Sequence, residues 1–382
     1  MAVAAAARQL RTSVAPMIDV TDPYFLRLLR LISPFGHHEL WTEMVHANAF
    51  SRGRLVEDPT RLAQHIPLRE LRDFAPHVVV QIGASAPGDA HAAVRELAKL
   101  GVRHVNLNCG CPSRNVQMGS FGAVLMKSPD LAAAIVDAMR DAARGSACSV
   151  SVKCRIGIDA DESPEFLRRF ISAIAGRQRP DAGHPARIVL HARRAWLSGL
   201  SPKKNRTVPA LNHERAYEMA REFPHVSFVV NGGVDSVDDV VGHLAHADGV
   251  MIGRKIREDP WFLAQLDHHV YGVPQAQIPS AADVLAQYTQ FADEMHSLHG
   301  TRYTVFARAL HAFFVGPGAK AVRGHLGAAI SAATASRGAD GARTYAAPFS
   351  VLVQDAVRSA EQSRGSQPDQ PAELPSFGRA AG

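Results

Sequence analysis

The sequence predicts an α/β protein: a closed (β/α)8 barrel of the TIM type with a small helical domain behind it. Three observations carry that expectation. Eight short apolar runs recur along the chain with helical stretches between them. The runs are almost continuously hydrophobic, as strands buried on both faces of a parallel sheet must be. Beyond about residue 281 the strand-like runs stop and helical spacing alone continues. At 382 residues the chain also exceeds a barrel of ~250 residues by enough for a small appendage. A doubly wound open sheet is the alternative arrangement of the same elements.

In chain order the strands are expected at 12–16, 40–45, 77–83, 104–110, 149–157, 187–193, 227–233 and 249–254. Segments such as 89–100, 130–143 and 214–223 carry apolar residues at helical spacing with charges elsewhere, and Pro129 and Asp235 stand where helix starts belong. After the barrel, 281–297 and 304–315 read as helices and 345–359 as a third, with Gly316-Pro317-Gly318 breaking the chain between helices. The expected organisation is an N-terminal extension at 1–11, a barrel at 12–275, a helical domain at 276–360 and a tail at 361–382. The tail is rich in Ser, Gly, Pro, Gln and Arg and is expected to be disordered.

Composition narrows the classes. A net charge of +6 permits a polyanionic partner without requiring one. Four cysteines in a chain this long make no disulfide framework and suggest a reducing compartment. Cys109 and Cys111 lack the Cys-x-x-Cys spacing of a zinc site, and His37-His38-Glu39 lacks the His-Glu-x-x-His spacing, so the latter is read as a solvated loop and no metal is expected. No apolar stretch approaches ~18 residues, so no membrane span is expected. The alanine-rich start reaches the first strand too soon for a typical signal peptide. The expected location is cytoplasmic, with a short organellar transit segment as the alternative.

A barrel concentrates its chemistry at the carboxyl ends of its strands, and here those ends are polar. They supply Pro16-Met17, Thr42-Glu43, Gln81, Asn108 with Cys111, Lys153 with Arg155, His191 with Arg193, Asn231-Gly232-Gly233 and Gly253-Arg254. A Gln or Asn at a strand end often only caps backbone groups, and a lone cysteine is often core. Lys153 is different, because a lysine in a buried strand needs an anionic partner. The glycines after strands seven and eight stand where barrels build phosphate sites from backbone amides. A phosphate cradle, a cation and amide side chains at one mouth suggest a phosphorylated planar cofactor, and flavin mononucleotide (FMN) fits. Gln81 would bond a ring edge, and Lys153 would stabilise the charge of a reduced ring.

These residues also form motifs. Ala15-Pro16-Met17, Thr42-Glu43-Met44-Val45, Val80-Gln81-Ile82-Gly83 and Asn106-Leu107-Asn108-Cys109-Gly110-Cys111-Pro112-Ser113 resemble those of the tRNA-dihydrouridine synthases. So do Val116-Gln117 with Gly119, Phe121-Gly122-Ala123, Val152-Lys153-Cys154-Arg155-Ile156-Gly157, Leu190-His191-Ala192-Arg193, Asn231-Gly232-Gly233 and Gly253-Arg254. The resemblance runs in consistent order from about residue 12 to 326. The stretch from Ala195 through Trp196, Ser201-Pro202-Lys203-Lys204 and Asn205 to Arg206 is similar to the A subfamily, as is Gly316-Pro317-Gly318-Ala319-Lys320 with Arg323. One departure is Cys109, where the family more often has an aliphatic residue.

The resemblance implies FMN held by Pro16, Met17, Ile18, Gln81, Lys153, His191, Asn231, Gly232, Gly233, Gly253 and Arg254, with NADPH as reductant. It implies hydride delivery from flavin N5 to uracil C6, a proton to C5 from Cys111, and contact between Asn108 and the substrate base. A thiol with an ordinary pKa near 8.5 is mostly protonated at neutral pH and suits the role of acid. The partner implied is tRNA, reduced in its D-loop at about positions 20/20a, and the protein is expected to be a monomer. The base must be extruded from the folded tRNA, and binding then rests mainly on phosphates and RNA shape. Arg193, Arg194, Lys203, Lys204 and Arg206 lie in one stretch without an acidic residue, which favours RNA contact over an ordinary solvated loop. Lys320 and Arg323, three apart on a helix, are further candidates. The alternatives are a related flavin barrel acting on a free pyrimidine or another activated alkene, and a non-catalytic RNA-binding protein.

Overall fold

The computed structural model describes residues 12–53, 55–175, 186–315, 318–337 and 343–362. Expectations for the N-terminal extension at 1–11, for Gly316 and Pro317, and for residues 363–382 lie outside the described residues.

The barrel strands are β1 (Thr12–Val14), β2 (His38–Trp41), β3 (Val45–His46), β4 (Val78–Gly83), β5 (His104–Cys109), β6 (Ser149–Arg155), β7 (Arg187–His191), β8 (Ser227–Asn231) and β9 (Gly249–Ile252). Every neighbouring pair is parallel, and β1 pairs with both β2 and β9, so the sheet closes. β3 resumes the line of β2 along their shared neighbour β4, with Val45 opposite Ile82. The result is the expected closed barrel of eight parallel strands, and the open-sheet alternative is ruled out by that closure.

Side-chain alternation divides each strand between two environments. Val78, Val80 and Ile82 of β4, Val105, Leu107 and Cys109 of β5, and Val152 and Cys154 of β6 belong to the large apolar layer that also contains Ala93, Leu97, Ile135 and Phe170 of the covering helices. Ala15, Trp41, Val79, Val189, Val229 and Met251 form a separate small cluster inside the barrel. The same inward parity then carries Gln81, Asn108, Lys153, His191 and Asn231 at the carboxyl ends. An apolar layer across the middle of the barrel, with polar residues above it, lies behind the hydrophobic runs that the strands show in sequence.

The reading of His37-His38-Glu39 as a solvated loop is overturned. His38 and Glu39 lie in β2, each 1% exposed. His38 Nδ1 is 2.6 Å from Thr12 Oγ1. Glu39 points inward and accepts both guanidinium hydrogen bonds of Arg187, at 2.5 and 2.6 Å, and one from Trp41 Nε1 at 3.2 Å. Burial pushes the Glu39 carboxyl up, but the charge and hydrogen bonds of Arg187 outweigh it and leave the pKa below the ordinary value. Among the described residues no cluster of His, Cys, Asp and Glu could hold a metal, and no helix is long and apolar enough to cross a membrane.

The chain groups into two compact units, one of residues 1–23 and 36–254, the other of 24–35 and 255–382. The second is helical, with helices Ala281–His299, Tyr303–Phe313, Ala319–Ala333 and Phe349–Gln362. Its core is aromatic: Phe306 meets Tyr24 edge-on at 4.9 Å and lies 6.0 Å from Phe291 and 5.9 Å from Phe349. Trp261 packs at a helix start, as its Asp-Pro context suggests, 5.5 Å from Phe313. Two expectations change here. Strands do not end with the barrel, because Thr334–Arg337 and Arg343–Tyr345 form an antiparallel pair. The last helix runs past the expected tail boundary to Gln362, with Ala360 only 2% exposed.

Candidate active site at the carboxyl ends of the barrel strands

The turn after β5 is held by hydrogen bonds at every backbone polar group from Gly110 to Pro112. Asn108 Oδ1 accepts from the amides of Gly110 (3.0 Å) and Cys111 (2.9 Å). Arg155 Nε donates to the Gly110 carbonyl at 3.1 Å, Ala123 N to that of Cys111 at 2.9 Å, and Gln117 Nε2 to that of Pro112 at 2.8 Å. Ser113 then caps the short helix Arg114–Met118. Gly122, at φ +74°, passes so close to the turn that a Cβ there would lie 2.7 Å from the Cys111 carbonyl oxygen. The Cys111 thiol is therefore presented, half-buried and unpaired in any disulfide, from a backbone with no slack.

Cys109 faces the other way. It is fully buried in the outer apolar layer, opposite Cys154 on β6. Burial, helped by the neighbouring Cys154, pushes its thiol well above the ordinary range. Its role is packing, which is why a cysteine can stand where an aliphatic residue is usual.

Inside the mouth the amides form a chain across three strands. Asn108 Nδ2 donates to Gln81 Oε1 (2.8 Å), Gln81 Nε2 to Asn106 Oδ1 (2.8 Å), and Asn106 Nδ2 to Ser151 Oγ (2.9 Å). The Gln81 backbone amide donates to Thr42 Oγ1 at 3.1 Å. Each carboxamide of Gln81 and Asn108 keeps hydrogen-bonding capacity beyond these bonds. Asn106 was not singled out from the sequence. It alternates with Val105 and Leu107 in phase with Asn108, but a single amide inside a strand does not by itself mark a site.

From β6, next to Asn108, Lys153 Nζ reaches past β7 to donate to Asn231 Oδ1 at 3.0 Å, and Asn231 Nδ2 donates to the Met251 carbonyl at 2.8 Å. Lys153 is half-buried. Burial, reinforced by the charge of Arg155, pulls its pKa down to about 7. His191 is driven well below the ordinary imidazole value, first by burial and then by Arg155, Lys153, Arg193 and Arg254. Those charges all have one sign. Positive charge gathered in this way favours an anion at the mouth.

The glycines complete this wall. Gly232 and Gly233 have φ of +114° and +73°, and a Cβ on Gly232 would stand 2.8 Å from His191 Cδ2. At Gly253 a Cβ would meet only Ala15 Cβ at 3.4 Å and Met17 Sδ at 3.8 Å, ordinary contacts, so this chain's own packing does not demand glycine there. Pro16 and Met17 lie half-buried beside it, and Ile18 is 55% exposed. Positive φ values at non-glycine residues occur at Asp19, Ser120 and Asp159 among the described residues, each in a loop after a strand end at this mouth. Strained backbone tends to collect at working sites.

The basic stretch after β7 divides in two. Arg193 is 8% exposed and donates to the Pro209 carbonyl; Arg194 pairs with Glu162 at 3.0 Å and lies 4.8 Å over the Trp196 ring. Both are engaged in shaping the loop. Lys203, Lys204 and Arg206 are exposed around the buried Asn205, whose side chain bonds the backbone of Trp196 in both directions, at 2.7 and 2.9 Å. In the helical unit Lys320 is exposed, while Arg323 donates to the carbonyls of Phe314 (3.0 Å) and His311 (3.4 Å), closing the end of helix Tyr303–Phe313.

A family model described as dihydrouridine synthase (Dus) matches residues 13–331. The chain belongs to the dihydrouridine synthase family. It is thus an enzyme of an oxidoreductase family. The chain is 38% identical over 317 residues to the tRNA-dihydrouridine(20/20a) synthase of Vibrio cholerae, covering 83% of this chain and 90% of that protein. It is 39% identical over 321 residues to the protein of that name from Escherichia coli K12, covering 83% and 85%. With the one from Xanthomonas campestris it shares 38% over 363 residues, covering 94% and 97%. A solved structure of an old yellow enzyme homologue from Zymomonas mobilis superposes loosely, with a TM-score of 0.44 at 11% identity over 69% of this chain and 89% of that one.

Proposed function

We propose that this dihydrouridine synthase reduces uridine in the tRNA D-loop, at about positions 20/20a, to 5,6-dihydrouridine, using FMN and NADPH. The observation that carries the reading is the group of cations Lys153, Arg155, Arg193 and Arg254 gathered round a neutral His191, beside Gly232, Gly233 and Gly253. Cations, left-handed glycines and an unexplained glycine together fit a planar group bearing a phosphate.

When bound, FMN supplies the hydride for uracil C6. In this reading Pro16, Met17 and Ile18 with Gly253 and Arg254 form one side of its site, and Asn231, Gly232, Gly233 and His191 another. Gln81 and Lys153 would hold the ring edge, where the Lys153 ammonium would offset negative charge. Cys111 Sγ holds the proton destined for uracil C5, and the hydrogen-bonded turn keeps that proton in one place. Asn108 fixes the turn through its oxygen and retains one N–H for the base. Lys203 and Arg206 meet the tRNA backbone, and Lys320 and Arg323 are the further contacts proposed in the helical unit.

The test is to purify the protein, supply FMN and NADPH, and offer tRNA and free uracil in parallel. Retained yellow flavin and NADPH oxidation coupled to dihydrouridine in tRNA are expected. A colourless protein that refuses FMN rejects the cofactor, and turnover of free uracil but not of tRNA rejects the substrate.

A further inference from the structure

The two carbonyls that flank Cys111 are each bonded to a side chain that also holds the basic loop. Gln117 Nε2 donates to the Pro112 carbonyl at 2.8 Å and to the Leu197 carbonyl at 2.8 Å. Arg155 donates through Nε to the Gly110 carbonyl at 3.1 Å, and through Nη1 to the carbonyls of Arg194 (3.1 Å) and Asn205 (2.9 Å). The loop is tied down a third time by Asp159, whose backbone is left-handed.

 

The φ of Asp159 is 51°, its Oδ1 accepts from Leu197 N at 2.8 Å, and its Oδ2 from Lys127 Nζ at 3.0 Å. Loop 194–206 and the Cys111 turn therefore share donors, and the backbone on both sides of the thiol is bonded through one residue to the stretch that presents Lys203 and Arg206.

Gln117 is the informative link. Its carboxamide has two N–H hydrogens on one nitrogen, and both are spent on carbonyls of different segments. Neither bond serves the short helix in which Gln117 sits. A side chain needed only to finish that helix would have no reason to reach Leu197, eighty residues away in sequence. Arg155 makes the parallel link but also stands in the cationic cluster, so its removal would disturb the cofactor wall as well.

We infer that Gln117 is a positioning residue that couples the seating of RNA on loop 194–206 to the placement of the Cys111 thiol. Phosphates held by Lys203 and Arg206 fix the loop, the loop fixes the Leu197 carbonyl, and Gln117 transmits that restraint to Pro112, next to Cys111. The proton donor is then best aligned when the correct polyanion is in place. This rests on the proposed tRNA substrate, and the experiment separates the two claims.

The first arm needs no activity. Hydrogen–deuterium exchange of the intact protein is compared with Gln117→Met, which keeps bulk and removes both donors, and with Gln117→Glu, which keeps shape but can only accept. Both variants should lose protection in 110–113 and in 195–206 together. Loosening of one segment alone, or wild-type behaviour of Gln117→Glu, overturns the coupling. The second arm is a double-mutant cycle on dihydrouridine formation in tRNA. Gln117→Met should lower kcat about tenfold, the scale on which small misplacements act, with reduction of the protein by NADPH in the absence of tRNA unchanged. Lys203→Ala with Arg206→Ala should lower kcat in the wild-type background but only raise KM when Gln117→Met is present. Independent, multiplicative losses of kcat overturn the proposal. If the wild-type protein forms no dihydrouridine, the substrate reading fails, and the exchange arm still decides whether Gln117 couples the two segments.

Discussion

Gly110 alone separates Cys109 from Cys111, and β5 ends between them. Cys109 keeps the strand's parity and is buried against Cys154, whereas Cys111 sits past the turn, half-buried at the mouth. Replacing Cys111 with alanine should leave bound flavin in place and reduce dihydrouridine formation by about a hundredfold or more, the usual weight of a positioned acid. Absorbance of the purified variant and turnover on tRNA check the two halves separately. Lys153 makes a pH prediction. Its pKa in the folded protein, about 7, lies below the unfolded value because burial and Arg155 disfavour the charge. A bound anion restores the proton, so FMN affinity should weaken as pH rises from about 7 to about 9 and the proton is lost. Lys153→Met should bind FMN more weakly at neutral pH and remove that slope in a titration followed by fluorescence. Most of these residues were legible because chemistry at strand ends breaks an apolar pattern. Asn106 was not, since one amide inside a strand resembles a tolerated polar residue until its partners Gln81 and Ser151 are known.

At the scale of elements, the eight strands could be read because both of their faces are apolar over most of their length. Their ends could not be read closely. The run expected at 149–157 stops at Arg155, where the side chain turns to bond loop carbonyls. Helix Ala319–Ala333 was seen only through Lys320 and Arg323, because Gly324 and Gly327 and a run of alanines dilute its period. The strand pair after it is short and polar, and its pairing is a long-range fact. In the basic stretch the sign of the charges was visible, but their division was not. Arg193 is buried and Arg194 paired within the loop, whereas Lys203 and Arg206 are exposed and form the testable pair. Changing both to alanine should weaken tRNA binding by about tenfold or more at low salt and flatten its salt dependence, as loss of phosphate contacts does. Filter binding across a salt series measures this. An unchanged slope would make the loop structural.

At the scale of the molecule, the helix Pro23–Ile32 belongs to the helical unit although it lies between the first two barrel strands. No local pattern announces such membership; it follows from Tyr24 and Arg27 meeting Phe306 and Phe291. The buried Glu39–Arg187 pair was likewise invisible, because its partners are 148 residues apart. Glu39→Gln strands the guanidinium and should cost about 3–5 kcal/mol, read from urea unfolding at neutral pH. Because the folded carboxyl pKa is depressed, this pair's contribution is present above the unfolded value of about 4.3 and is lost as pH falls through the folded one. The variant's deficit should therefore shrink in acid. A deficit that is constant with pH would show that packing alone is at stake.

The central claim is that this mouth reduces a uridine held within tRNA. It is tested most directly by incubating unmodified tRNA with the protein, FMN and NADPH, then mapping the product by nuclease digestion and mass spectrometry. The account predicts a gain of two hydrogens on uridine at 20/20a, the positions named for the relatives, formed about a hundredfold or more slowly with Cys111→Ala. Unmodified D-loop uridines after NADPH has been consumed, or equal product from Cys111→Ala, would contradict it.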